Sequence, residues 1–314
     1  MADITAIGEL LIDLTQTHFN EAGIPQFSAN PGGAPANVAV AASRLGAETA
    51  FIGKVGRDGF GAYLQRVLEE NRVGCKGIRR SSHPTTMAIV TIDRAGERSF
   101  EFIRGADIEL WPEEVDEHDV LNTRILHFGS VSLTPGMSRS ATVFAARTAH
   151  RAGKLVSYDP NYRAALWRSE RDAKEWMTIP LPLVDIIKLS EEEVFLLTGE
   201  RDLEAGGKLL EEKGISLVLI TLGREGVLCR WKGESFRVPG VPVQTADTNG
   251  AGDTFLGAVL SRLCRREENL LDNLDRSELE DILRFANRAA ALTCSRSGAI
   301  LAMPTLKEVE DFTI

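Results

Sequence analysis

The segment Asp247-Thr248-Asn249-Gly250-Ala251-Gly252-Asp253-Thr254-Phe255-Leu256-Gly257-Ala258 holds the residues with the clearest chemical purpose in this chain. Gly-Ala-Gly ahead of an apolar helical stretch makes a tight turn whose backbone N–H groups face outward at a helix N-terminus. Geometry and helix dipole together make such a turn an anion site. Asp253 lies in the same turn, ionised and able to accept a proton. Phosphoryl transfer needs these two features side by side: donors for the oxygens of the transferring group and a carboxylate at the attacking hydroxyl. A plain N-cap would account for Asp253 alone. The second carboxylate at the far end of the turn, Asp247, weakens that reading.

Two further stretches carry softer signals. In Gly32-Gly33-Ala34-Pro35-Ala36-Asn37 the paired glycines let backbone approach a ligand closely, and Asn37 can donate and accept hydrogen bonds. Pro35 at a first helical position would equally make this an ordinary helix entry. Thr221-Leu222-Gly223-Arg224-Glu225-Gly226 follows a predicted strand, and open α/β sheets bind ligands at strand carboxyl ends. Taken alone it reads as well as a common turn. Neither Gly-x4-Gly-Lys-Ser/Thr nor Gly-x-Gly-x-x-Gly occurs, so a nucleotide bound here would use neither common phosphate loop.

The elements that must position these residues alternate in type. Apolar runs at 4–11, 49–55, 125–130, 155–159, 184–189 and 217–221 predict strands. Helical spacing over 35–45, 138–151 and 191–197 ends at Gly46, Gly153 and Gly199, and further helices are predicted at 251–264 and 277–294. Strands alternating with helices imply βαβ units and a mainly parallel sheet covered on both faces. One region departs from this rhythm. Residues 86–93 and 98–103, joined by a turn at Arg94-Ala95-Gly96-Glu97, read as a hairpin, and the polar stretch 15–30 is non-helical. Together they predict a small antiparallel sheet beside the main one, of the kind that closes over substrate.

Composition sets the outer limits. At ~150 residues per domain, 314 residues suggest two domains, although an α/β fold often takes this length as one unit. The net charge of −9 and pI near 5.3 would repel a polyphosphate backbone, which argues against a nucleic-acid partner. No run of about 20 apolar residues is present, so no membrane partner is expected. The start Met1-Ala2-Asp3 lacks the basic region of a signal peptide. The scattered Cys75, Cys229, Cys264 and Cys294 fit buried thiols in a reducing cytoplasm, with neither a disulfide framework nor a zinc site.

The 247–258 segment resembles the C-terminal signature of the ribokinase-like (PfkB) carbohydrate kinases, and GGxxxNVAxxxxRLG at 32–46 resembles their N-terminal signature. Agreement continues through 53–61, 159–163 and 185–193 and so covers nearly the whole chain. Within the family, GELLID at 8–13, PGGAPANVAVA at 31–41, YDPNYRAALW at 158–167 and KLSEEE at 188–193 are most similar to fructokinases. The resemblance implies one three-layer α/β/α domain over 1–314, with a small β-sheet lid from about 14–30 and 86–105. It makes Asp253 the general base, with a pKa kept low by the helix terminus. Gly250, Ala251 and Gly252 become donors to the transferred group, while Asp13, Gly33, Asn37, Arg104 and Arg163 become sugar-side residues. Lys188, Ser190, Thr221, Gly223, Gly226, Gly252 and Asn287 fall on the ATP side.

The same resemblance places Glu193 near Mg²⁺ through coordinated water, and gives Asp247 and the backbone of Asn249 to a monovalent cation, K⁺. It departs from the wider family at Ser190, where ribokinases carry asparagine. The reaction implied is transfer of the γ-phosphoryl of Mg·ATP to a primary hydroxyl of a ketohexose, fructose being favoured, by a homodimer. Alternatives are a 2-keto-3-deoxygluconate kinase, a nucleoside or riboside kinase, and a non-catalytic sugar sensor. An intact Asp253 argues against the sensor.

Overall fold

Strands covered on both faces have no solvent side to fill with polar residues, and the run Leu217–Thr221 is apolar up to its last position. The computed structural model, which describes residues 1–92, 98–266 and 270–312, builds such runs into the middle of a nine-stranded sheet. In chain order the first strands are β1 (Ala2–Ile7), β2 (Leu11–Phe19), β3 (Pro25–Gly32), β4 (Thr49–Gly56), β5 (Val73–Ser81), β6 (Met87–Ile92) and β7 (Arg98–Ile103). They are followed by β8 (Thr123–Gly129), β9 (Leu155–Asp159), β10 (Ile186–Ser190), β11 (Leu217–Thr221), β12 (Gly226–Trp231) and β13 (Glu234–Pro239).

The large sheet has the order β13-β12-β11-β10-β9-β8-β1-β4-β5. Its pairs are parallel from β5 through β11, and β12 and β13 close one edge antiparallel. From β1 the chain builds outward through β4 and β5, then returns to place β8 on the other side of β1. Strand order therefore reverses between β1 and β8, and the crevice beyond the carboxyl ends there is where doubly wound sheets bind ligands.

Alternating side chains divide the core between two helical layers. Ile4, Ile125, Ile186 and Leu217 pack with Val38, Phe255, Leu256, Leu260 and Leu283, from helices Ala34–Arg44, Ala251–Leu263 and Arg276–Cys294. Leu126, Ile187 and Val218 face the other way, onto Ala145, Met177, Val194 and Leu210. The result is the three-layer α/β/α arrangement. Gly257 decides how the first layer is assembled. A Cβ there would come within 2.7 Å of the Ala41 Cβ and 2.9 Å of the Val38 carbonyl, so its absence lets helices Ala34–Arg44 and Ala251–Leu263 cross in contact. That crossing brings their two N-termini together above the strand ends.

The predicted strand over 4–11 is interrupted. Main-sheet pairing stops at Ile7, and from Leu11 the chain belongs to a separate sheet of order β3-β2-β6-β7. The stretch 15–30, expected only as non-helical, is largely a hairpin with Asp13 opposite Asn30. The small sheet is mixed, not antiparallel as expected. Its central pair β2–β6 runs parallel because these strands are joined by a long crossover through β4 and β5, not by a turn. The turn expected at Arg94–Glu97 lies outside the described residues.

Candidate active site

Most helices in the molecule are closed at their N-termini by their own side chains: Asp58, Ser169, Asp202, Asp275 and Thr305 each accept a backbone N–H from the following turn. The two crossing helices differ, as does helix Met137–Arg151, which starts from an uncapped Gly136. Helix Ala34–Arg44 starts from Gly33 and helix Ala251–Leu263 from Gly250, with φ of +112° and +75°, and neither has a side-chain cap of its own. Glycine is required at both. A Cβ on Gly33 would sit 2.3 Å from the Glu9 carbonyl oxygen, and one on Gly250 would sit 3.1 Å from Ala299 Cα. Ala251 N donates to Thr248 O at 3.3 Å, and the N–H groups of Gly252 and Asp253, which take no side-chain cap, are available to a ligand.

Two cavities meet at this glycine turn. The first, of about 460 Å³, is lined by Asp13, Gly33, Asn37, Arg163, Asp247, Asn249, Gly250 and Asp253, together with Glu9 and several small-sheet residues. The second, of about 860 Å³, takes in Thr221, Gly223, Gly226, Ala251, Gly252 and Asn287. Residues drawn from five separate stretches of sequence thus fall into two groups on opposite sides of 247–253. The turn is their common wall.

Asp253 is buried, and its Oδ2 accepts a 2.8 Å hydrogen bond from Asn37 Nδ2. Asn37 Oδ1 is buried without a partner, an acceptor still to be used at the cavity. The low pKa expected for Asp253 is not found. Burial pushes the carboxyl up to about 6 and the charge of Asp159 adds to this, while Asn37, Lys188 and Arg163 oppose it. The helix terminus does not compensate for the loss of water around a largely buried carboxylate. Asp13 behaves alike: burial raises it to about 6, Arg163 opposes the rise and Asp253 reinforces it.

Beneath the turn, Lys188 Nζ donates to Asp159 Oδ2 at 2.9 Å, and it lies 3.0 Å from where a Cβ on Gly252 would stand. Burial works against the ammonium, but Asp159, then Glu193 and Asp253, outweigh it and hold the Lys188 pKa above its ordinary value. Glu193 is spent on the backbone. Its Oε1 accepts from Tyr162 N and its Oε2 from Ser190 N, both at 2.7 Å. Ser190 caps helix Glu191–Thr198 through Oγ, which accepts from Glu193 N at 3.3 Å. Lys188, Ser190 and Glu193 line neither of the two cavities.

Asp247 braces the turn. Its Oδ1 accepts from Asn249 N at 3.1 Å and its Oδ2 from Gly298 N at 3.2 Å. On the other side, Asn287 Nδ2 donates to Pro239 O at 2.9 Å, tying helix Arg276–Cys294 to the end of β13. Thr221 Oγ1 donates to Leu189 O. Arg163 is exposed at the first cavity. Arg104 is elsewhere: it lines an adjoining cavity, where its guanidinium donates to both oxygens of Asp107 and to Thr134 Oγ1. Motif reading passes over Glu9 and Asp159 as site residues, and their signal is position. Asp159 ends β9 and Glu9 follows β1, at the carboxyl ends where ligands bind.

A buried carboxylate beside one cavity, with open backbone donors facing a second, can pass a phosphoryl group between ligands held on either side. Comparison with known proteins agrees in class. The family model for the pfkB family carbohydrate kinases matches residues 1–306, and the chain belongs to that family. Among curated relatives it is 40% identical to probable fructokinase-4 of Arabidopsis thaliana over 315 residues, covering 98% of this chain and 95% of that one. It is 39% identical to fructokinase-2 of Solanum lycopersicum, covering 97% and 94%. Among solved structures, a fructokinase from Xylella fastidiosa with bound ATP superposes with a TM-score of 0.91 at 34% identity, covering 99% and 98%. A fructokinase from Vibrio cholerae O395 with fructose, ADP and a calcium ion gives 0.88 at 32%, covering 99% of each chain.

Proposed function

We propose that this protein is a fructokinase, transferring the γ-phosphoryl group of ATP to the primary hydroxyl of fructose to give fructose 6-phosphate. The observation that carries the reading is the meeting of two cavities at one open glycine turn, with buried Asp253 on the acceptor side. Asp253 takes the hydroxyl proton as the sugar oxygen bonds to the γ-phosphorus. The bond from that phosphorus to the bridging oxygen breaks, and ADP leaves with the electron pair. The N–H groups around Gly250–Gly252 hold the oxygens of the moving group. Asn37 holds Asp253 in orientation, and Asp13 and Arg163 bind sugar hydroxyls. The relatives named fructokinase agree with this substrate.

The charge of the first cavity favours a neutral sugar over a sugar acid. Its lining has four carboxylates, Glu9, Asp13, Asp247 and Asp253, and among the described residues one cation, Arg163. A substrate carboxylate would need a second cation there, and Arg104 is engaged with Asp107 in the neighbouring cavity. In our reading, Arg104 serves the small sheet, which we take as a lid over the sugar within a single domain.

The donor sets fit the ions expected. Both Glu193 oxygens already accept a backbone N–H and Glu193 lines neither cavity, so its remaining lone pairs would meet Mg²⁺ through coordinated water. Mg²⁺ would neutralise charge on the phosphates. Asp247, with backbone oxygens from the Asn249 and 296–298 segments, would hold K⁺ behind the turn. Among the described residues no helix is long and apolar enough to cross a membrane, in keeping with the cytoplasmic location we propose. The exposed Phe19 and Phe27 on the small sheet, with Ile24 in the turn between them, support a homodimer.

The test is ATP-coupled turnover against a panel of sugars, sugar acids and nucleosides. Fructose should give the highest kcat/KM among them, with fructose 6-phosphate as product. If 2-keto-3-deoxygluconate exceeds fructose by more than about tenfold, or ~1.4 kcal/mol in transition-state binding, the substrate is wrong and the kinase stands.

A further inference from the structure

Glu9 is a buried carboxylate in the sugar cavity for which the phosphoryl-transfer scheme has no use. It lies in the short link between β1 and β2, where the chain leaves the main sheet for the small one. Its Oε1 accepts the Ala34 N–H at 2.9 Å. This is the first amide of helix Ala34–Arg44, which Gly33 cannot cap. Backbone packing makes the same connection, because the Glu9 carbonyl occupies the space a Cβ on Gly33 would need. Its other oxygen, Oε2, is buried without a partner. An unmatched buried carboxylate oxygen is unfavourable, and capping Ala34 alone does not require it.

We propose that Glu9 is a positioning residue for substrate binding, holding Gly33, Ala34 and Asn37 in place over the sugar and joining that helix start to the base of the small sheet. Asn37 is the hydrogen-bond partner of Asp253, so movement of the helix start moves the base's partner with it. The charged groups around Glu9 point to the same connection. Asp107 opposes its ionisation and Arg104 favours it, both just beyond β7, while Asp13 and Asp253 share its cavity. Burial, more than either neighbour, brings its pKa up to about 7. Ionised Glu9 makes a charge-assisted bond to Ala34, roughly twice as strong as a neutral one. Sugar binding should therefore tighten as pH rises through about 7.

This inference rests on the first cavity being the sugar site, and the test separates the two. Wild type, Glu9→Gln and Glu9→Ala are compared by steady-state kinetics with fructose and ATP, and by hydrogen exchange at residues 34–37 without ligand. Glu9→Ala should raise fructose KM about tenfold, as for a lost buried hydrogen bond, with ATP KM within about twofold. It should also speed exchange at Ala34. Glu9→Gln, which keeps an acceptor oxygen, should preserve slow exchange and lose the part of the KM slope centred near pH 7. Equal rises in both KM values with Glu9→Ala, or an unchanged pH slope in Glu9→Gln, would overturn the proposal. Exchange at Ala34 needs no sugar, so faster exchange in Glu9→Ala alongside inactivity of wild type on fructose would sink the substrate and leave the Glu9 contact standing.

Discussion

On one side of the 247–252 turn the cavity wall carries Glu9, Asp13, Asp247 and Asp253. On the other side it includes Gly223, Gly226, Pro242, Val243, Phe255 and Ala290, with Glu225 its one carboxylate and Arg224 beside it. The first surface offers acceptors, which suit a ligand bearing many hydroxyls. The second offers backbone and apolar faces, which suit a flat heterocycle and its ribose. Burial, more than mutual repulsion, sets the carboxyl groups of Glu9, Asp13 and Asp253 well above the ordinary carboxylate range. A base with a pKa of about 6 is closer to its working pH than an exposed aspartate would be, and that favours general-base catalysis. Under the proposed function, the carboxylates of the first cavity serve the chemistry and the second cavity serves binding.

Removing Asp253, the carboxylate we propose as the base, should break the comparison most sharply. Asp253→Asn keeps the shape and an oxygen for Asn37 but cannot take a proton. Its kcat should fall about 10²–10⁴-fold with both KM values little changed. The same variant should be the more stable protein at neutral pH. A folded pKa raised from 3.8 to about 6 means the native state holds its proton more tightly than the unfolded chain. That contribution is complete below 3.8 and is lost as pH rises through about 6, a difference of order 3 kcal/mol at ~1.4 kcal/mol per unit. Calorimetry at pH 4.5 and 7.5 should show the Tm of Asp253→Asn gaining on wild type at the higher pH. Near-wild-type kcat would remove Asp253 as the base.

How much of this was legible beforehand follows the same division. The glycine turn, both helix starts and the alternating strands of the main sheet were readable, because local periodicity and glycine placement determine them. The mixed order of the small sheet was not. Nothing within β2 or β6 says that they run parallel, since that follows from what lies between them. The pKa of Asp253 was misjudged for a related reason. A helix terminus is visible in sequence, whereas the burial and the neighbouring Asp159 that raise the Asp253 pKa exist only after folding. Arg104 shows the limit of a motif match, since its position fits a lid arginine while its hydrogen bonds go to Asp107 and Thr134.

The second cavity, which we propose holds the nucleotide, should respond to a change that leaves the first untouched. Asn287 holds the end of β13 through Pro239 O and stands in the wall of the second cavity. Asn287→Ala should raise ATP KM by about tenfold, the loss expected of one buried hydrogen bond, while fructose KM stays within about twofold. Parallel increases in both constants would mean that the two cavities are not independent.

The smallest effect expected concerns the shared wall itself. Asp247 already ties the turn to the 296–298 segment, through Gly298 N on one oxygen and Asn249 N on the other. A K⁺ ion bound there would add its charge behind the open N–H groups without touching either substrate. Because two hydrogen bonds hold the turn in any case, the ion is an adjustment to a wall that stands without it. Replacing tetramethylammonium by K⁺ at matched ionic strength should raise kcat/KM by roughly two- to fivefold, under ~1 kcal/mol of barrier. Asp247→Ala should shrink that response and lower basal activity as well, since it removes the hydrogen bonds along with the ion's ligand. Equal kcat/KM in K⁺, Na⁺ and tetramethylammonium would assign Asp247 to bracing alone. The wall between the two cavities would then be held by hydrogen bonds with no contribution from a cation.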